Sequence, residues 1–406
     1  MPIAAPIAAA LTDHSAHPWS LTVGGTDMAK LAAGAGFGVP IESIRVREVG
    51  PGGVSSIEFN VDDPRAETWI ADVAPIELVR HSDGDVAFRG TVDHWESSPD
   101  FGGQGRTLRV TGSGPEQYLD DWTIVPPASV LNGTILADAI AYLANREAPR
   151  LIAPFAFGVI SFPPASLGDG NADWPIGLLQ VGGNNATVSG AWTWGGGTLR
   201  SAIADLAAHS VYIGAGNIVS YSVPILVTVD FGYRLRVWRD GPSFQPDDYT
   251  TLFVSDTVGS SVLATELSYA VEPGDVIHEV YVSGGGGVAG WFSDGTGITG
   301  RQGLISDATL TTFDAAAAAA LNFLAAQAGK VRGSFRLVHY SPAVTTVHAG
   351  SLVSITDAAS GSTGTYRIAA IAKTFYGNGT QDWTVEFGGL RPSVTSLTRR
   401  LTRAAQ

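Results

Sequence analysis

Few residues in this 406-residue chain have the types and spacing for chemistry, and no group of them completes a constellation. His94-Trp95-Glu96 sets an imidazole and a carboxylate two positions apart, which on a strand places both on one face, as an acid–base pair requires. No third group elsewhere completes them. His278-Glu279 fails earlier, because strand neighbours point to opposite faces. Asp169-Gly170-Asn171-Ala172-Asp173 has the alternating oxygens that open a calcium loop, but Trp174 stands where glycine is needed and Gln180 where a bidentate glutamate is needed. That run reads as a polar surface turn. Gly285-Gly286-Gly287-Val288-Ala289-Gly290 has the spacing of a dinucleotide fingerprint, yet the turn-rich Trp291-Phe292-Ser293-Asp294-Gly295 follows where a helix would have to begin. A flexible ribbon is expected there. Trp174, Trp192 and Trp194 are candidates either to stack on sugar rings, with Trp192 and Trp194 sharing a face if their segment is a strand, or to bury against a core or partner. His14 and His17 alone make no metal site. Nucleophile elbows, zinc-protease helices and phosphate loops are absent from the sequence, so no catalytic, cofactor or metal residue is expected and the chain is read as non-enzymatic.

Composition narrows the partners. Charged residues are only 15 %, against 45 % hydrophobic, and glycine numbers 50. Sparse charge with so much glycine suits either a subunit that buries much of itself against others or a heavily glycine-punctuated β-protein. The net charge of −14 argues against a standing nucleic-acid ligand, which needs clustered cations. Lys30, Lys330 and Lys373 are the only lysines, and there is no cysteine, which removes disulfides and thiolate chemistry. Met1 to Leu11 carry no basic residue and include Pro2 and Pro6, so no signal peptide is expected. The apolar run Leu151–Phe162 is too short to span a bilayer and is broken by Pro154.

The elements that would position these residues are mostly strands. Ile44–Val49, Ser56–Val61, Ile76–Arg80, Val86–Glu96 and Arg106–Gly112 alternate and are separated by glycine- and aspartate-rich turns. A helix is expected over Thr134–Asn145, with Ile135, Ala139 and Tyr142 on one face, and another over Thr198–Ser210, with Leu199, Ile203 and Leu206. Ile225–Phe231 and Arg234–Arg239 read as a hairpin. Strands follow at Ser261–Val271 and Val276–Ser283, then an alanine helix from about Phe313 to Ala328, then strands at Ser334–Tyr340, Ser351–Asp357, Thr365–Phe375 and Asp382–Phe387. Thr311 and Asp314 have capping-box spacing for that helix, Leu321 and Leu324 give its apolar stripe, and Gly329 supplies its stop. The two strand-rich ends are loosely alike.

Two stretches carry a resemblance. Val86-Ala87-Phe88-Arg89-Gly90-Thr91-Val92, followed by Arg106–Gly112 and Tyr118-Leu119-Asp120-Asp121-Trp122, is one; the other runs from Val280 through the alanine helix to the Gly350 turn, Tyr366-Arg367-Ile368 and Trp383–Gly388. Together they resemble the tail hub, or baseplate hub or tail-tip, proteins of siphophages. The resemblance implies a mainly β fold with a few helices. Two tail-tube-like β-barrel or sandwich domains, 19–121 and 255–390, would flank a mixed middle domain, 122–254, with an arm over 1–18 and a basic tail over 391–406. It also implies a structural virion protein made in the host cytoplasm, assembled as a homotrimer that closes the distal tail tube. Its partners would be tail-tube, tape-measure and tip or fibre proteins. Such hubs often carry a C-terminal peptidase, lysozyme or fibre extension; here the sequence stops after the basic tail, so those activities are expected in other proteins. Two alternatives stay open: a carbohydrate-binding tail protein, on the strength of the tryptophans, and a wall-degrading hydrolase.

Overall fold

The computed structural model describes residues 19–27, 43–61, 74–80, 84–99, 106–121, 123–124, 128–131, 133–136, 139–140, 142–143, 187–188, 191–208, 210–213, 219–221, 225–232, 235–239, 249–255, 264–271, 277–293, 301–327, 331–337, 347–357, 362–376 and 381–388. The expected arm and basic tail, the calcium-like run, Trp174, His14, His17 and Gly329 lie outside the described residues.

The N-terminal unit consists of β1 (Trp19–Val23), β2 (Thr26–Asp27), β3 (Ser43–Val49), β4 (Ser56–Val61), β5 (Pro75–Arg80), β6 (Val86–Pro99) and β7 (Arg106–Ser113). Alternation explains them: in β4 Ile57, Phe59 and Val61 turn inward while Ser56 and Asn60 face out. Their core gathers Leu21, Ile44, Phe59, Leu78, Phe88 and Val110. A 3-10 turn, Pro115–Gln117, and the short helix α1 (Tyr118–Asp121) lead into the middle region.

There, short pairings follow: β8 (Thr123–Ile124), β9 (Ala128–Val130), β10 (Thr187–Val188), β11 (Trp192–Trp194), β12 (Gly197–Thr198), helix α2 (Leu199–Ala208), β13 (Ser210–Ile213), β14 (Val219–Tyr221) and the hairpin β15 (Ile225–Val229) and β16 (Leu235–Arg239). Leu199, Ile203 and Leu206 of α2 are buried as expected. The helix read over 134–145 turns a different face inward. Leu136, Ala139, Ile140 and Leu143 are buried, whereas Tyr142 is 40 % exposed and Ile135 forms a bridge to Thr187. Leu136, Ile140 and Leu143 make the wider i, i+4, i+7 stripe, which buries more apolar surface than one ending on a tyrosine.

The C-terminal unit has β17 (Leu252–Ser255), β18 (Ala264–Val271), β19 (Ile277–Gly284), β20 (Ala289–Ser293), β21 (Arg301–Asp307), helix α3 (Phe313–Gln327), β22 (Val331–Leu337), β23 (Leu352–Asp357), β24 (Ser362–Tyr376) and β25 (Gln381–Gly388). Its core holds Leu252, Phe335, Val353, Ile368, Val385 and Phe387. The fold is mainly β with a few helices.

The two units have one strand order. The first runs β1-β5-β6-β7-β4-β3 and the second β17-β23-β24-β25-β22-β18, so each strand has a counterpart in the same sequential and spatial place. The match extends to register. The β6–β7 ladder slips one residue between Val92 and His94, and the β24–β25 ladder slips between Ile368 and Ala370. Just before each slip, the Val92 amide donates to the Ala74 carbonyl and the Ile368 amide to the Ser351 carbonyl, both at 2.8 Å. Phe59 and Phe335 fill equivalent core positions. One strand differs: β1 runs antiparallel to β5, whereas β17 runs parallel to β23.

A sheet of β20-β19-β21 and α3 is inserted between β18 and β22, where the first unit has only the turn between β3 and β4. The cap of α3 is Thr312, one residue later than expected: its Oγ1 accepts from the Ala315 amide at 3.2 Å and its carbonyl from the Ala316 amide at 3.1 Å. The buried stripe is Ala316, Ala320 and Leu324 with Ala317, while Leu321 is only partly covered. Alanine at these places lets the helix approach Val280 and Val282 of β19 closely. The glycine ribbon is an ordered hairpin turn. Gly286 and Gly287 have φ of 67° and 85°, the left-handed pair a two-residue type I′ turn demands, and Val288 donates back to the Gly285 carbonyl. No helix follows, so the dinucleotide reading is excluded by geometry.

Candidate functional site

The first unit ends in β3, and β3 pairs along its outer edge with β24 of the second unit, from Val49 opposite Ala370 to Ser43 opposite Tyr376. Strand β24 manages this by its length. Its first half, Ser362–Arg367, pairs with β23, and its second half offers the same edge to β3. One continuous sheet therefore joins the two units. The Gly50 amide adds a bond to the Ala369 carbonyl at 2.7 Å, and the Trp19 indole reaches the Tyr376 carbonyl at 3.3 Å.

Charge is buried in this seam. Ile44, Val46 and Glu48 occupy the inward row of β3, and Ile371, Lys373 and Phe375 that of β24, so each row has one charged residue where alternation calls for an apolar one. The two satisfy each other, with Lys373 Nζ donating to Glu48 Oε2 at 2.8 Å. Glu48 Oε1 accepts from the Ala349 amide at 3.0 Å and lies 3.1 Å from His348 Nδ1. Lys373 also lies 4.6 Å from the centre of the Trp383 ring. Burial alone would push the Glu48 carboxyl up, but the charges and hydrogen bonds of Lys373 and His348 outweigh it and hold the pKa at about 2. On the outer face, Arg47 and Glu386 form an exposed pair at 2.9 Å.

A second carboxyl, Glu116, fixes the turn that follows β3. Ser55 Oγ donates to it at 2.6 Å, and Ser55 Oγ accepts from the Val49 amide at 3.0 Å. Burial raises the Glu116 pKa to about 7, the Ser55 hydrogen bonds opposing and the Glu48 charge adding to the rise. Glu48, Glu116, His348, Asp230, Arg236 and Tyr249 border a cavity of about 250 Å³ where both outer units meet the β15–β16 hairpin. Arg236 is held by Asp230 at 2.8 Å, and Arg89 of β6 donates to the Phe231 carbonyl at 3.2 Å. From α2, Arg200 bonds Asp120 at 2.8 Å and the Glu116 carbonyl at 3.0 Å. These contacts fasten three regions together. Among the described residues no cluster of three or more potential ligands could hold a metal ion.

The sequence-predicted candidates lie elsewhere. His94 and Glu96 share an exposed face of β6 opposite Thr111 and Arg109, and Arg109 is taken by Glu58 at 3.0 Å with Glu96 at 3.7 Å. That is a cross-strand charge ladder on a flat face. Glu279 accepts from Gln302 at 3.1 Å on the outer side of β19. Trp192 and Trp194 stack at 5.9 Å inside the middle core, each 3 % exposed, and the Trp192 indole donates to Asp205 at 3.0 Å. They form no sugar platform. Sequence reasoning missed Glu48, Glu116, His348 and Lys373. The available signal was a lysine, one of three in the chain, within the apolar alternation of Ile371 and Phe375.

No family model matches the sequence, and no curated protein matches it. Solved structures do. A tail protein from Neisseria meningitidis MC58 superposes with a TM-score of 0.60 at 14 % identity, covering 92 % of this chain and 96 % of its own. The chain has the fold of phage tail proteins. The 43 kDa tail protein of prophage MuSo2 from Shewanella oneidensis gives 0.59 at 16 % identity over 92 % and 98 % of the two chains. Prophage tail protein gp18 from Listeria monocytogenes EGD-e gives 0.51 at 10 % identity over 90 % and 94 %. This tail-protein fold spans nearly the whole length of each. Among the described residues, no helix is long and apolar enough to cross a membrane.

Proposed function

We propose that this chain is a structural virion protein, the hub that closes the distal end of a phage tail tube. Three copies form a ring in which the two outer units alternate, so six alike units meet a six-fold tube above and a three-fold tip below. The observation that carries this reading is the shared strand order and register of the two units, already joined edge to edge within one chain. A duplicated unit is the economical way to present six-fold contacts from three chains. The coverage of the tail-protein matches supports a role in the tail, and the sparse charge fits extensive burial between subunits. Tail-tube, tape-measure and tip or fibre proteins are its partners, and catalysis is not part of its work. Light scattering on the purified full chain tests the stoichiometry: a three-chain mass supports the hub, and a ring of six whole chains overturns it. A long coiled-coil tape-measure reading frame beside the gene would be independent support.

A further inference from the structure

Every edge in one unit has an equivalent in the other, but their occupancy differs. In the second unit, the distal half of β24 is covered by β3. Its equivalent in the first unit is the distal half of β6, from His94 to Pro99, aligned by the matching slips in the two ladders. That stretch pairs with β7 on one side, and on the other side β5 stops at the partner of Thr91, so among the described residues no strand covers it. The equivalent of β3 is β18, which pairs with β22 and, among the described residues, ends the sheet. The chain thus carries one satisfied contact and the two separated halves of a second copy of it.

We propose that β18 of one chain pairs antiparallel with the distal half of β6 of the next, repeating between copies the β3–β24 contact made within each. The occupant is a second copy of this chain, because the contact already made supplies the template, register included. Arg45 opposite Thr374 and Arg47 opposite Ala372 become Ser268 opposite Ser98 and Ala270 opposite Glu96. The β18 bulge between Thr265 and Ser268, where Glu266 has a φ of 56°, ends the pairing at that side. The exposures agree. Ile371, paired opposite Glu48 of β3, is fully buried, whereas its equivalent Trp95 is only partly covered, and Glu96, Ser98, Ser268 and Ala270 are all exposed. The pairing is head to tail, so it closes into a ring only if each step turns by the same fraction of a circle, as three copies of an alternating pair would require. This inference rests on the ring proposed above.

The chain has no cysteine, so introduced thiols report without background. Directly opposed antiparallel residues bring Cβ atoms within disulfide reach, while diagonal neighbours do not. Ser98→Cys with Ser268→Cys, and separately Glu96→Cys with Ala270→Cys, should on oxidation convert the full-length protein into a covalent three-chain product. The two-residue-off combination Glu96→Cys with Ser268→Cys should cross-link at least tenfold more slowly, and each single variant should give no product beyond two chains. A three-chain species by light scattering that cross-links at neither aligned pair overturns the strand pairing and leaves the hub reading standing. Faster linking of the offset combination overturns the register. A chain that stays single at every concentration up to its solubility limit overturns this pairing as a contact between free copies.

Discussion

Strands β3 and β18 hold the same place in two units of the same strand order, yet one is covered along its outer edge and the other, among the described residues, is open. The covered strand has an inward row of Ile44, Val46 and Glu48, with its charge answered across the seam. The open one is shorter in usable length, bulged, and presents Glu266, Ser268 and Ala270 to solvent. Edge strands are templates for unwanted pairing, and bulges and polar side chains restrain them. Two units of one architecture have therefore separated their duties. The β3–β24 edge is paired within the single chain, whereas among the described residues the outer edges of β18 and distal β6 are not. The strand order and the slips in register define the likeness between the units.

That division predicts a graded set of outcomes. Lys373→Met should be the most damaging change, because it leaves Glu48 buried without its cation; a loss of about 3–5 kcal/mol is expected, measured by urea unfolding. A loss below that of an exposed pair would break the claim that this seam holds the two units. The two buried carboxyls then give opposite pH limbs. Glu48 is depressed from 4.5 to about 2, so its contribution is present above pH 4.5 and lost as pH falls toward 2. Glu116 is raised from 4.5 to about 7, so its contribution is present below pH 4.5 and lost as pH rises through 7. Each limb is worth about 3 kcal/mol, and Glu116→Gln should flatten the neutral limb alone in unfolding curves taken across pH. Ala317→Leu should overpack α3 against its sheet and cost about 1–3 kcal/mol by thermal melting, with the β3–β24 contact intact. Arg47→Ala, on the outer face of that same contact, should cost less than about 1 kcal/mol. Smallest of all is Ser98→Lys on the open edge, which should leave unfolding of the single chain within about 0.5 kcal/mol while weakening the three-chain species seen by light scattering.

Much of the sheet was legible because alternation is a local signal. Ser56–Val61 reads the same in sequence and structure, and the strands from Leu352 onward were found to within a few residues. Strands β20 and β21 were missed because glycine and serine interrupt their pattern and their pairing partner is β19, not each other. The cap moved from Thr311 to Thr312 because a helix start depends on which carbonyl turns first, and neighbouring threonines do not reveal that. Trp192 and Trp194 do share a face, as spacing requires, but whether that face meets solvent depends on α2 lying over it. The candidate site was the least legible part. Glu48 and Lys373 are 325 residues apart, and only the oddity of charged residues in apolar rows marks either one.

The pairing of β3 with β24 also sets a timetable for the newborn chain. Val49 leaves the ribosome 321 residues before its partner Ala370, which at about 5–20 residues per second is a wait of roughly 20–60 s. Throughout that interval the first unit has an unclaimed border, and a neighbouring nascent chain could take it. Arg45, Arg47 and Glu48 along β3 make such theft electrostatically awkward until the rightful strand arrives. Completion of the first unit is thus one of the last events in the synthesis of the second.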